Sequence, residues 1–445
     1  MADIQNGTLF LDGLLDRFDA AASVHRLVSG LQNDAARQIS GKELPTTRHE
    51  EWKYCSLKAL GKEQFVPASH IKTPNLPDNA ASCIYPEAEH HHLTFINGVY
   101  SEGLSKTDRL PDGVIVANLA DALRDGNEIA VKHLGKLAIW EDDPFVPLNT
   151  AVFRDGAFIY VPKNVRVEDP IQLLFINTDE QERFVMTPRC LIVGDQFSEM
   201  TVVEDHIGLG SNVYFNCPVS EIKLAENSHM THVKLQRDSK KAYHISRLAA
   251  DISRDSDYKS YAVQLGAKLS RSDVKAVLTD ENTHATLDGL VMVNGDQLSD
   301  THSVMDHTMP NCTSHQLHKC IIDGNGTSVF NGKIFVRQDA QKTDAFQENR
   351  NLQLSNTGTA YAKPQLEIFA DDVSCSHGAT IGQLDPNEIF YLKTRGLREY
   401  QTRQILTYGF ALDVIESIPV PSIQERLSNE VEAFTKESKS IKEFV

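Results

Sequence analysis

The sequence is short of tryptophan, of positive charge and of long apolar runs. It holds two tryptophans, Trp52 and Trp140, among 445 residues. Its 44 Lys and Arg face 61 Asp and Glu, for a formal net charge of −17. Nucleic acid and anionic lipid both require a basic surface, so neither is expected as the main partner. No stretch approaches the roughly 20 apolar residues of a membrane span. The stretch MADIQNGTLFLDGLLDRFD lacks the basic start and apolar core of a signal peptide, so a cytoplasmic location is expected. Seven scattered cysteines, an odd and unpatterned set, read as reduced thiols. The sequons at Asn6, Asn311 and Asn325 then carry no glycan.

Proline is also missing from the whole interval between Pro218 and Pro310. Such a stretch can supply every backbone N–H to continuous strand pairing. The surrounding pattern agrees. Short apolar alternations recur at Phe158 and Tyr160; Ile171, Leu173 and Phe175; Ile222 and Leu224; Val233 and Leu235; and Val274, Ala276 and Leu278. Breaks at Asp155-Gly156, Asn227-Ser228, Asn294-Gly295 and Asp323-Gly324 separate them. Few segments between them read as helices, which disfavours a doubly wound α/β sheet. A parallel β-helix fits residues 93–384 best, with coils of roughly 20–30 residues. A β-sandwich makes similar strands, and no tight repeat is visible.

Residues 1–92 precede this core as a helical region and linker. Leu11, Leu14, Leu15, Phe18, Ala22 and Val24 follow helical spacing, Pro45 interrupts it, and Glu50 to Leu60 resumes it. Residues 66–92 read as an irregular linker, with His90-His91-His92 in a solvated loop in preference to a metal site. Residues 385–445 read as helical again. Asp385-Pro386-Asn387-Glu388 predicts a capping box with Pro at N1, and Gly396 predicts a C-cap. Further helices are expected over 398–416 and 422–434, with a frayed tail. With little core of their own, they are expected to cap the stack, to bind a partner, or both.

The segment Lys363–Gln383, KPQLEIFADDVSCSHGATIGQ, concentrates the chemistry. Cys375 and His377 stand two positions apart between Asp371-Asp372 and the glycines Gly378 and Gly382. On a strand they leave one face with roots about 6.6–6.8 Å apart. A thiolate and an imidazole so placed can share one iron or zinc, or two neighbouring irons. Only a neutral imidazole binds metal, so such a site weakens as pH falls below the imidazole range. Cys375 also reads as a small half-buried core residue, and the two aspartates as a strand end. Cys312 and Cys320, with His307, His315 and His318, match no tight zinc knuckle. Gly326–Lys333 superficially resembles a phosphate loop, but has one residue too many between its glycines, and Ile334 stands where Ser or Thr should be.

These words, taken in order, resemble the SufB/SufD family of iron–sulfur cluster assembly scaffolds. The resemblance runs through Pro45–Tyr54, with Glu51-Trp52-Lys53-Tyr54; Phe95-Ile96-Asn97-Gly98; Leu148–Ala151 with Gly156–Pro162; Phe330–Ile334; Ala340–Ala345; Gln347–Leu352; and Phe390–Gly396. Cys375-Ser376-His377-Gly378-Ala379-Thr380 is the SufD form of the word at that place. The resemblance implies a right-handed parallel β-helix core with N-terminal and C-terminal helical segments. It implies a non-catalytic scaffold with a SufB partner paired through the β-helix. It also implies a SufC ATPase docked on the C-terminal helices, with Tyr391, Arg395, Ile405 and Leu412 as the contact residues. A homodimer of the isolated chain stands as a further expectation.

The same resemblance makes His377 a ligand of a nascent iron–sulfur cluster or of iron, with Cys375 second. Family members are linked to iron entry and to a reduced flavin, but nothing in this sequence shows a flavin site. Two other functions remain open at this stage. One is the SufB role of accepting sulfur on a cysteine. The other is a polysaccharide lyase or hydrolase, since such enzymes use β-helices.

Overall fold

Side-chain alternation along the strands builds two long parallel sheets that enclose one elongated core. The computed structural model of the chain describes residues 2–19, 26–68, 80–139, 143–179 and 183–443, and the side chains of all but 2–9 and 19 among them. Ala22, Val24 and Trp140 therefore lie outside the described residues. The chain forms a parallel β-solenoid of about seven turns, with helices toward both termini. In sheet A, Ile192, Ile222, Ala250, Ala276, Met305, Ile334 and Leu366 occupy successive rungs of one inward column. All but the last rung of that column are buried. In sheet B, Met200, Met230, Tyr258 and Ala285 stack in the same way. Strands alternate between the sheets, so each turn contributes one strand to each, as parallel coiling requires.

The repeat lies at the corners. Asn164, Phe197, Asn227, Asp255, Asn282, Asn311 and Lys342 all have φ between 55° and 61°. Each donates its backbone N–H to a carbonyl one turn on, from Asn164 to Gln196 at 3.0 Å through Lys342 to Asp372 at 2.5 Å. Four of the seven are Asn and one is Asp, the non-glycine residues that tolerate this left-handed conformation best. Asp371-Asp372 is the last corner of the stack.

Both outer faces are covered. The N-terminal region lays Phe10, Leu11, Leu14, Phe18, Leu44 and Trp52 against the Phe215, Tyr243 and Ile245 side of the solenoid. The C-terminal helices Glu399–Ser417 and Pro421–Glu437 bury Ala411, Val414, Ile415, Ile423 and Leu427 on Val203, Val233, Leu235 and Leu290 of sheet B. The expectation that these helices cap the stack is thereby corrected. Their apolar face matches the flank of sheet B. The tail is anchored too: Ile441 is buried and Ser440 donates to Asp323 at 2.5 Å.

Other local differences have local causes. Asp385 caps its helix by accepting from the Asn387 N–H at 2.8 Å, but Glu388 does not close the box. Gly396 does follow that helix at φ +93°. Glu50 to Leu60 is an extended segment with brief 3₁₀ turns, because its side chains are spent on sheet A. His91 and His92 are buried in the strand His91–Ile96, not solvated in a loop. Short helices at Leu119–Arg124, Glu128–His133 and Phe145–Val152 interrupt the strand region. No helix among the described residues is long and apolar enough to cross a membrane.

Candidate functional site

Cys375 and His377 lie on Val373–Gly382, the last strand of sheet B. Among the described residues that strand pairs only with Thr343–Gln353, placing Cys375 beside Ala345 and His377 beside Gln347. The last strand of sheet A, Thr359–Ile368, likewise pairs only with Thr327–Val336. The final turn therefore presents two unpaired strand edges side by side. Unprotected edges of this length are templates for another chain. Cys375 and His377 share the inward parity of Ala345 and Gln347, as the i, i+2 spacing predicts.

Chemically the two differ. Cys375 is half-buried and packs on the solenoid core. Burial pushes its thiol up, and the nearby Asp344 carboxylate adds to that shift. His377 is exposed at the open end. Among the described residues no group of three or more His, Cys, Asp and Glu is arranged to hold a metal ion. Cys312 and Cys320 are buried singly, and all seven cysteines are unbridged. Asp371 and Asp372 lie exposed at the corner, where the Asp372 backbone N–H donates to Gln341 Oε1 at 2.9 Å and its carbonyl accepts from the Lys342 N–H.

The partner-binding candidates lie close by in the chain. Tyr391 is 57% exposed, and Arg395 stacks its guanidinium 5.1 Å from the Tyr391 ring centroid. Ile405 is exposed, and Leu412 is half-buried two turns later on the same helix. Large exposed apolar residues concentrate in the last turns and the helix after them: Phe346, Tyr361, Ile368, Phe369, Ile381, Phe390 and Tyr391. Monomers seldom leave so many together without a partner.

Two features escape a reading of local pattern. The first is a strap. Glu50 pairs with Lys363 at 2.5 Å, Glu51 with Lys333 at 2.7 Å, and Tyr54 stacks on Tyr361 at 4.0 Å. The segment with the Glu51–Tyr54 word thus reaches the last strand of sheet A, and no local signal announces that. The second is a polar lane within the core. Glu204, His206, His232, Lys234, Gln236 and Gln264 are all buried. Lys234 and His206 both lie against Glu204, at 2.9 and 2.8 Å. Charged residues at inward parity, such as Glu204 and Lys234, were the available sign.

An open-ended parallel solenoid flanked by helices, with a Cys–His pair on its free edge, defines a scaffold built for assembly. The chain belongs to the SufB/SufD family, on the SufD side. Residues 175–410 match the family model described as the SUF system FeS cluster assembly SufBD core domain. Residues 18–173 match that of the SufBD protein N-terminal region. The chain is 36% identical over 430 residues to an iron–sulfur cluster assembly SufBD family protein of Synechocystis sp., covering 93% of this chain and 94% of the relative. It is 30% identical over 396 residues to the iron–sulfur cluster assembly protein SufD of Escherichia coli, covering 88% and 89%. It is 28% identical over 334 residues to SufD of Bacillus subtilis, covering 74% and 76%. Membership sets aside the carbohydrate-active alternative and supports a general role in iron–sulfur cluster assembly.

Proposed function

We propose that this chain is the SufD-type subunit of a cytoplasmic SUF complex. In it, SufB pairs on the open last turn, and a nascent cluster or iron is held at that seam by His377, with Cys375 beside it. The observation that carries this reading is the pair of free edges on Val373–Gly382 and Thr359–Ile368, with His377 on one of them. Strand addition satisfies both rows of backbone groups and buries Phe369 and Ile381. Two protein ligands leave an iron coordination sphere incomplete, so sulfide or a partner's side chain completes it. The cluster is cargo here, not a resident group.

SufC docks on the exposed Tyr391, Arg395 and Ile405 face with Leu412 at its margin, and ATP hydrolysis belongs to that partner. The chain itself is non-catalytic. Cys375 does not suit the SufB role of accepting sulfur, because a thiol pushed up by burial supplies little thiolate. A homodimer of the isolated chain uses the same edges. A reduced flavin and iron acquisition find no assigned residue in this chain.

Placing a photo-crosslinking residue at Ile381 in the co-expressed complex tests the seam. Crosslinks to SufB are expected there, and none from an Asp16 position on the opposite terminal region. Crosslinks to SufC alone from position 381 would overturn the arrangement.

A further inference from the structure

We propose that Gln347 is a positioning residue for His377, its side-chain carbonyl accepting the imidazole N–H while the other ring nitrogen faces the cargo. The inference rests on the reading of His377 given above. One inward column of sheet B runs Ser260, Leu287, Gln316, Gln347, His377 in strict register. Gln347 is fully buried, yet neither atom of its amide has a hydrogen-bond partner. An unmade bond of that kind costs about 1–3 kcal/mol, so an apolar residue of the same shape would serve the fold better. The amide has only two neighbours along its column. Below, Gln316 Oε1 is occupied by the Ser303 hydroxyl at 2.7 Å and its Nε2 is itself unpartnered, so Gln316 can fill one of the two acceptor positions on Gln347 Oε1 and leaves the other open. Above stands His377, on the last strand.

Space for the amide is set aside across the core. Gly332 sits opposite on sheet A, and a Cβ there would lie 2.3 Å from Gln347 Nε2 and 2.6 Å from the Phe330 ring. The glycine of the Phe330-Asn331-Gly332-Lys333 word is therefore the clearance for this side chain. Metal-binding imidazoles ordinarily donate their second N–H to a fixed oxygen, which sets the tautomer and raises ligand basicity. Gln347 Oε1 is a buried oxygen with that valence open. The other inward groups nearby are uncharged: Gln316, Asn349, and His318, which burial pushes down to about 4. Asp344 and Glu348 alternate with Ala345 and Gln347 and so lie on the outer face. A strand laid over the last turn would exclude water from the contact and strengthen it.

The test compares Gln347→Met, Gln347→Glu and His377→Ala in the full chain. Histidine-selective NMR of the purified chain reads the His377 titration, assigned by its loss in His377→Ala. Co-purification with the SUF partners without oxygen reads retained iron. Gln347→Glu is expected to raise the His377 midpoint by about half a unit or more, and Gln347→Met to lower it. Retained iron should fall about tenfold in Gln347→Met and less in Gln347→Glu. Thermal unfolding checks that both variants fold, and the two opposite midpoint shifts separate positioning from mere packing. An unmoved midpoint in both variants, or full iron in Gln347→Met, overturns the proposal. Full iron in His377→Ala would instead overturn the function proposed for the seam.

Discussion

Arg271 rests its guanidinium 3.9 Å from the Trp52 ring centroid, joining the N-terminal strap to the outer face of sheet A. The same guanidinium donates to Asp273 and to Asp300 at 2.9 Å. Trp52 thus covers a buried arginine whose charge is balanced on its other side. Trp52→Ala should destabilise the chain by about 3–5 kcal/mol. Trp52→Phe should recover a good part of that loss, because a ring still caps the guanidinium. Denaturant unfolding checks both, and equal midpoints for Trp52→Ala and the parent would contradict the strap's role.

The strap also carries a pH dependence with a defined sign. Glu51 is held down to about 2, first by its hydrogen bond with His302 and then by Lys333. His302 is raised: burial opposes its protonation, but the Asp300 carboxylate and the bonds to Asp300 and Glu51 outweigh that. A depressed carboxyl contributes stability above its unfolded pKa and loses it as pH falls toward 2. A raised imidazole contributes fully below its unfolded pKa, near 6.5, and loses it as pH rises through the folded value. The strap is therefore tightest between about pH 4.5 and 6.5. Melting curves from pH 6 to 9 should show the parent losing more stability than His302→Gln, and parallel losses would refute the pairing.

Arg189 and Glu221 make a buried pair in which Glu221 also accepts from the N–H groups of Gly135, Leu137 and Ala138. Removing Glu221 strands a guanidinium inside the protein. Glu221→Ala should cost about 3–5 kcal/mol. The exposed pair Lys436–Glu432 should lose at most about 1 kcal/mol on Lys436→Ala. Urea midpoints of the two variants measured side by side decide the contrast.

The C-terminal helices serve two purposes, so removing them is a poor probe of docking. Deleting 386–445 would bare Val203, Val233, Leu235 and Leu290 on sheet B, and aggregation is the expected result. Tyr391→Ala and Ile405→Glu alter exposed positions only. Together they should abolish SufC co-purification while leaving the melting temperature unchanged. Full SufC recovery from a folded double variant would place the dock elsewhere.

Much of the solenoid was legible because its cause is local. Alternation at Ile171, Leu173 and Phe175, and the proline-free interval after Pro218, are direct consequences of strand pairing. The coil repeat was not, since the left-handed corners favour Asn227 or Asp255 but also hold Phe197 and Lys342, and so leave no shared word. The i, i+2 placement of Cys375 and His377 on one face followed from strand geometry. That the strand is the last one did not, because ending a stack depends on what fails to follow. The site's surroundings were invisible for another reason. Tyr54 meets Tyr361, Glu51 meets His302, and Gly332 makes room for Gln347 only once the coils have stacked.

The most direct measurement is the cluster content of the co-expressed SUF complex, purified without oxygen, with His377→Ala set against Ser374→Ala, a neighbouring exposed position on the same strand. The visible absorption and iron of the Ser374→Ala complex should match the parent, while His377→Ala should assemble the same subunits and lose most of both. Equal iron and absorption in the intact His377→Ala complex would contradict the account.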